Sequence, residues 1–141
     1  MDKQIILDKL SSLKRCVERV ESKVPKNSAV LKIDFDLQDI ISLNLQRAVQ
    51  VSVDIAAHIN AGLDDARPPA SMTDSFDNLN RAGILSESLC IRMKKSVGYR
   101  NIAVHEYSTI NWDLVFSVAT KNLNDFREFS KSILTWLKVQ S

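Results

Sequence analysis

DKQIILDKLSSLKRCVERVESKV, residues 2–24, places apolar side chains at Ile6, Leu10, Leu13, Val17, Val20 and Val24. The steps alternate between four and three, which is the spacing of one stripe on a helix of 3.6 residues per turn; a strand would need alternation by two. The segment therefore reads as a helix packed along its length. Pro25 stops it, because proline has no N–H to donate and its ring clashes with the preceding turn.

Moving outward, the same period recurs. Leu37, Ile41, Leu45, Ala48, Ile55 and Ile59 predict a second long helix, starting near Asp34 or Asp36, either of which supplies a cap, and ending at Gly62. DDARPPAS, residues 64–71, is the clearest loop. A short helix over about residues 73–82 follows, with Gly83 in the left-handed position that closes a helix. Ser86 is the expected N-cap of a fourth helix that turns Leu89, Met93 and Val97 inward. Asn111 is the expected cap of a fifth, in which Val115, Val118, Asn122, Phe126, Phe129, Ile133 and Leu137 repeat at helical spacing. No window sustains a period of two. The fold class is therefore all-α: a bundle of four long helices plus one short helix, with mostly antiparallel neighbours.

A chain of 141 residues suits a single domain, 1–141, large enough to bury a core without metal or disulfide staples. Its 45% hydrophobic and 26% charged residues are far from the proportions of a disordered chain. Cys16 and Cys90, the only cysteines, both fall inside amphipathic patterns, which favours two buried thiols in a reducing compartment over a disulfide. MDKQIILDKL is too charged for a signal peptide, and no apolar run approaches the ~20 residues that span a bilayer, so the expectation is a cytoplasmic protein with no membrane association. A net charge of +2 and a pI near 8.6 are compatible with nucleic acid but fall short of the pI above ~9 of a strongly basic binding domain. Charge is concentrated locally instead: RMKKSVGYR, residues 92–100, carries Arg92, Lys94, Lys95 and Arg100.

Metal and phosphate-loop chemistry have no signature here. A carboxylate-bridged centre needs Glu-x-x-His pairs and a zincin needs His-Glu-x-x-His; His58 has Ile55 three residues before it, and Glu106 after His105 leads to no second histidine. No metal ligands and no cofactor are expected, and the glycines at 62, 83 and 98 are isolated. Asp54 and His58 lie four apart on one helix face and read as a partly buried hydrogen-bonded pair. RNIAVHEY, residues 100–107, gathers Arg100, His105 and Tyr107. In a continuous helix Arg100 and His105 leave the axis ~140° apart, and His105 and Tyr107 ~160°. They converge if the helix ends near His105, if Arg100 reaches round, or if a second subunit contributes. Spacing alone leaves two readings open, a polar helix end or a functional site.

RNIAVHEY matches the Arg-x4-His-x-Tyr motif of the HEPN-domain ribonucleases, with Asn101 in the polar position that commonly follows the arginine. More narrowly, the chain resembles the HepT-type toxins, small all-helical proteins paired with a nucleotidyltransferase (MNT-domain) antitoxin. LQRAVQVSVDIAAHI (45–59), SFDNLNRAGILSESL (75–89), SVGYRNIAVHEY (96–107) and FREFSKSIL (126–134) read like their counterparts in the same order, so the likeness covers most of the chain. Asn111 departs from it, an amide standing where the family carries aspartate; both cap helices.

The resemblance implies a HEPN-like helical bundle and metal-independent RNA cleavage, of tRNA or mRNA, by 2′-hydroxyl attack. It makes His105 the general acid or base and Arg100 the phosphate clamp, with Asn101 in support. It implies a homodimer whose two motifs face one cleft, and an antitoxin that silences the enzyme by transferring AMP to Tyr107. Arg92, Lys94 and Lys95 are either RNA-backbone contacts flanking that cleft or an ordinary solvated helix face. An alternative within the resemblance is a non-catalytic HEPN module that serves as the nucleotide-binding or regulatory partner of a nucleotidyltransferase.

Overall fold

The computed structural model describes residues 2–63, 69–105 and 107–140, with the side chains of His105 and Tyr107 outside the description. Helix α1, Lys3–Lys23, starts where the Asp2 carboxylate accepts from the Gln4 and Ile5 amides, and it buries the stripe from Ile6 to Val20 together with Cys16. Asp34 caps the longest helix, α3 (Phe35–Ala61), its Oδ1 accepting from the Leu37 amide at 3.1 Å. Between them lies an element that the apolar spacing does not announce, α2 (Ser28–Ile33). Asn27 caps it, Leu31 is its only buried side chain, and Gln38 of α3 donates to the Leu31 carbonyl at 2.9 Å. One buried residue per short helix leaves no periodicity to read.

Ser71 caps α4, Met72–Arg81, and Gly83 follows at φ +77°, the conformation in which a Cβ is disfavoured. Ser86 then accepts from the Leu89 amide at 3.1 Å and opens α5, Glu87–His105. After a three-ten turn over Tyr107–Thr109, Asn111 accepts from the Asp113 and Leu114 amides and starts α6, Trp112–Lys121.

The expected fifth helix is in fact two, because the chain breaks at Asn122 before α7, Leu123–Val139. Asparagine competes poorly for helix-interior positions, since its side chain bonds nearby polar groups instead. Here the Asn122 amide group donates to Asp125, which is also held by Arg92 of α5. The break lets α6 lie against α2 while α7 runs along α1 and α5.

Helices α1, α3, α5 and α7 are the four long helices of the bundle. The seam between α1 and α3 is the most extensive, α4 bridges α3 and α5, and α5 also meets α3 and α7. One hydrophobic cluster joins all of them, and at its centre the rings of Phe76 (α4) and Phe129 (α7) meet edge to face, centroids 5.8 Å apart. Both cysteines are buried and free. The Asp54–His58 pair is not formed: Asp54 accepts from Gln50, and His58 Nε2 accepts the Asp2 backbone N–H at 3.4 Å, tying the start of α1 to α3. Among the described residues no helix is long and apolar enough to cross a membrane.

Candidate active site

The last two turns of α5 carry the motif. Leu89, Cys90, Met93, Val97, Tyr99 and Ala103 bury the helix against its neighbours, which fixes its direction up to the point where the core ends. On the same turns Arg100 is half-buried and Asn101 exposed, and an Arg100 guanidinium N–H donates to Asn101 Oδ1 at 3.4 Å, longer than the usual 2.7–3.2 Å range and therefore a loose restraint. No carboxylate pairs with Arg100 among the described residues.

The helix runs unbroken through Arg100 and ends at His105, so the two backbone positions lie ~140° apart around the axis with a rise of ~7.5 Å between them. The chain has left the α-helix by Tyr107, which opens the three-ten turn, and the ~160° divergence of a continuous helix does not apply there. The helix ends at His105, as one of the three routes to convergence requires, but within α5 this does not bring His105 round to Arg100. The roles assigned to the His105 imidazole and the Tyr107 hydroxyl lie outside the described residues.

The three other cations on α5 divide sharply. Arg92 is held by two carboxylates of α7, Asp125 at 2.6 Å and Glu128 at 2.8 Å, and Lys94 is held by Asp77 of α4 at 3.0 Å. Reading them as open phosphate contacts is revised on this point: the Arg92 cluster is net negative, and both side chains clamp helices together. Lys95 alone of the three is exposed without an ion pair among the described residues. The carboxylate partners were not legible, because Asp125 and Glu128 lie more than thirty residues from Arg92 and no local spacing links them.

The Arg92 clamp ties α5 to the first turns of α7, and its removal is testable. Arg92→Ala leaves Asp125, only 13% exposed in its side chain, without its cation, at an expected cost of about 1–3 kcal/mol in urea unfolding. The hydrogen bond from Arg92 holds the Glu128 carboxyl below its ordinary value. A carboxyl depressed in the folded state adds stability above its unfolded pKa of ~4.3, and that stability disappears as pH falls through the folded value. The gap between wild type and Arg92→Ala should therefore narrow below pH ~4; a gap that widens there contradicts the assignment.

Next to the motif, Leu45 and Val49 of α3, Tyr99 and Ile102 of α5, Leu114 of α6 and Phe126 of α7 line an apolar hollow of about 490 Å3. Ile91, Lys95, Gly98 and Ile102 share one face of α5, on which Ile91 is 47% and Ile102 45% exposed. A Cβ added at Gly98 would meet nothing within 4 Å. Among the described residues no group of three or more His, Cys, Asp or Glu is clustered as metal ligands would be.

An all-helical bundle with this arrangement occurs in solved HEPN toxins. A structure of the tri-AMPylated Shewanella oneidensis HEPN toxin in complex with MNT antitoxin superposes with a TM-score of 0.86 at 39% identity, covering 96% of this chain and 99% of that one. A toxin–antitoxin complex with AMP-PNP gives 0.84 at 39% identity, covering 94% and 99%. YutE of Bacillus subtilis, a cytosolic protein of unknown function, reaches 0.84 at 17% identity, covering 98% and 92%, and shows the fold alone. The family model for ribonuclease HepT-like proteins matches residues 13–133, and the chain belongs to that family. Relatives include the mRNA nuclease HepT of Shewanella oneidensis, 41% identical over 125 residues (89% of this chain, 92% of the relative). The tRNA nuclease HepT of Aphanizomenon flos-aquae is 29% identical over 103 residues, 73% of this chain and 69% of the relative.

Proposed function

We propose that this chain is a metal-independent endoribonuclease, the toxin of a type VII toxin–antitoxin pair, acting as one domain in the cytoplasm. The observation that supports it most is the motif at the end of α5, where an Arg100 guanidinium that no described carboxylate neutralises precedes a helix terminus at His105. The supporting relatives are nucleases of mRNA and tRNA.

In this reading His105 moves the protons. It takes one from the 2′-hydroxyl as the 2′ oxygen bonds to phosphorus, and a proton is returned to the 5′ oxygen as its bond to phosphorus breaks, leaving a 2′,3′-cyclic phosphate. An imidazole of unperturbed pKa ~6.5 suits both directions at cellular pH. Arg100 offers a planar fork of donors to the phosphorane oxygens, and Asn101 restrains that fork loosely from one side. Because one backbone sends Arg100 and His105 ~140° apart, a homodimer in which one subunit's arginine complements the other's histidine completes the site. The exposed Ile91–Ile102 face of α5, with its open space at Gly98, supports such an association.

The partner is a nucleotidyltransferase antitoxin, as the tri-AMPylated relative's complex supports. AMP transfer bonds the Tyr107 oxygen to the α-phosphorus of ATP and releases pyrophosphate. The added phosphate charge and the bulk of the nucleotide then exclude RNA from a cleft built for phosphate. Induction of the chain alone should arrest growth, co-expression of the nucleotidyltransferase should relieve the arrest, and Tyr107→Phe should stay toxic despite it. Harmless induction of soluble wild-type chain would instead point to a non-catalytic regulatory module.

A further inference from the structure

The seam between α1 and α3 opens on its outer side into a hollow of about 710 Å3 that the motif does not use. Arg15 and Arg19 stand one turn apart on α1, and Arg47 stands on α3; all three are exposed and line the hollow, with Asn44 beside them and Asp39 the only acid in the lining. No ion pair engages any of the three among the described residues; the hydrogen bond described for the Arg15 guanidinium goes to Ser12 Oγ at 3.4 Å. This contrasts with Arg92, Lys94 and Arg127, each committed to a carboxylate. Cys16 also lines the hollow; burial pushes its thiol pKa up, and Arg47 and Arg15 pull the other way.

The position of the hollow relates it to the motif. Asn44 and Arg47 look into it from α3, while Leu45 and Val49, on the same two turns, look the opposite way into the hollow bordered by Tyr99 and Ile102 of α5. The two hollows thus lie on opposite sides of α3, and a strand held in one reaches the other only by passing round the outside of the bundle. A concave seam with three guanidinium forks suits a chain of regularly spaced anions. A protein partner would need apolar anchoring, and Leu43 is the only large apolar side chain exposed in the lining.

We propose that Arg15, Arg19 and Arg47 form a second phosphate track that grips the RNA backbone away from the scissile bond. The proposal rests on the ribonuclease reading and adds the means by which long RNA is held. The test is the full-length chain carrying Arg15→Gln, Arg19→Gln and Arg47→Gln together. These side chains are exposed, so thermal unfolding should confirm a retained fold.

Binding of a fluorescent single-stranded RNA is titrated against salt in a His105→Ala background, and cleavage of long RNA is measured with His105 present. Each lost phosphate contact on a single strand removes ~0.7 from the slope of log Kobs against log salt, so the slope should fall by about 2. At 0.1 M salt that corresponds to a Kd raised on the order of 100-fold, and the loss in cleavage should be carried by KM rather than kcat. Equal salt slopes for the two proteins overturn the track. So does a variant that binds RNA normally but no longer co-purifies with its nucleotidyltransferase, which would give the arginines to a protein interface. Absence of cleavage by wild type would sink the ribonuclease reading instead, while the binding comparison still decides the track.

Discussion

Replacing His105 with alanine lowers the rate of RNA cleavage in EDTA by ~10²–10⁴-fold, the range typical for loss of a positioned proton-transfer group. The unfolding midpoint of the variant, measured alongside, separates loss of chemistry from loss of fold. Arg100→Ala acts through a different property, the donors aimed at charge that develops on the phosphorane, where loss of a preorganised donor costs ~10²–10³-fold. Arg100→Lys keeps the charge but not the planar fork and should recover only part of that loss. In the proposed mechanism the two groups serve one transition state, so the double variant should be far less impaired than the product of the single effects. The comparison uses purified protein with total RNA and tRNA. A His105→Ala protein that cuts as fast as wild type ends the enzymatic reading outright.

How this site was read from sequence explains what was legible and what was not. The four long helices follow from apolar spacing because each buries a continuous stripe, and Asp34, Ser86 and Asn111 cap where their side chains had to satisfy free amides. Gly83 sits where a left-handed residue closes α4. Helix α2 escaped because a single buried leucine has no period. The break at Asn122 escaped because Val118 and Asn122 lie in register with the stripes on both sides; its Asn122–Asp125 bond is local, but Asp125 is also held by Arg92 of α5, which no local spacing shows. The same long-range pairing removed Arg92 and Lys94 from the cations open to RNA. Conversely, the α1–α3 arginines come together only when two distant helices are placed side by side. Local motifs register chemistry confined to one helix end; charge neutralised or assembled across helices needs the fold.

Phe129→Ala should destabilise the protein by about 3–5 kcal/mol in urea unfolding, enough to consume much of the ~5–15 kcal/mol that holds a typical domain folded. Phe129 is fully buried and its ring meets Phe76 edge to face at 5.8 Å, so truncation removes apolar area, an aromatic contact and leaves a cavity between α7 and α4. Both of those helices flank α5, and the Arg92 clamp ties α5 to α7 one turn of helix away at Asp125 and Glu128. Loosening α7 therefore loosens the support of the helix that ends in the motif. Phe129→Leu keeps most of the apolar volume and should cost distinctly less. The functional consequence separates support from chemistry: well below its unfolding midpoint the folded fraction of Phe129→Ala should cleave RNA at a rate much nearer wild type than His105→Ala does. Equal loss of activity by a fully folded Phe129→Ala protein would mean that core packing at α7 sets the geometry of the site itself.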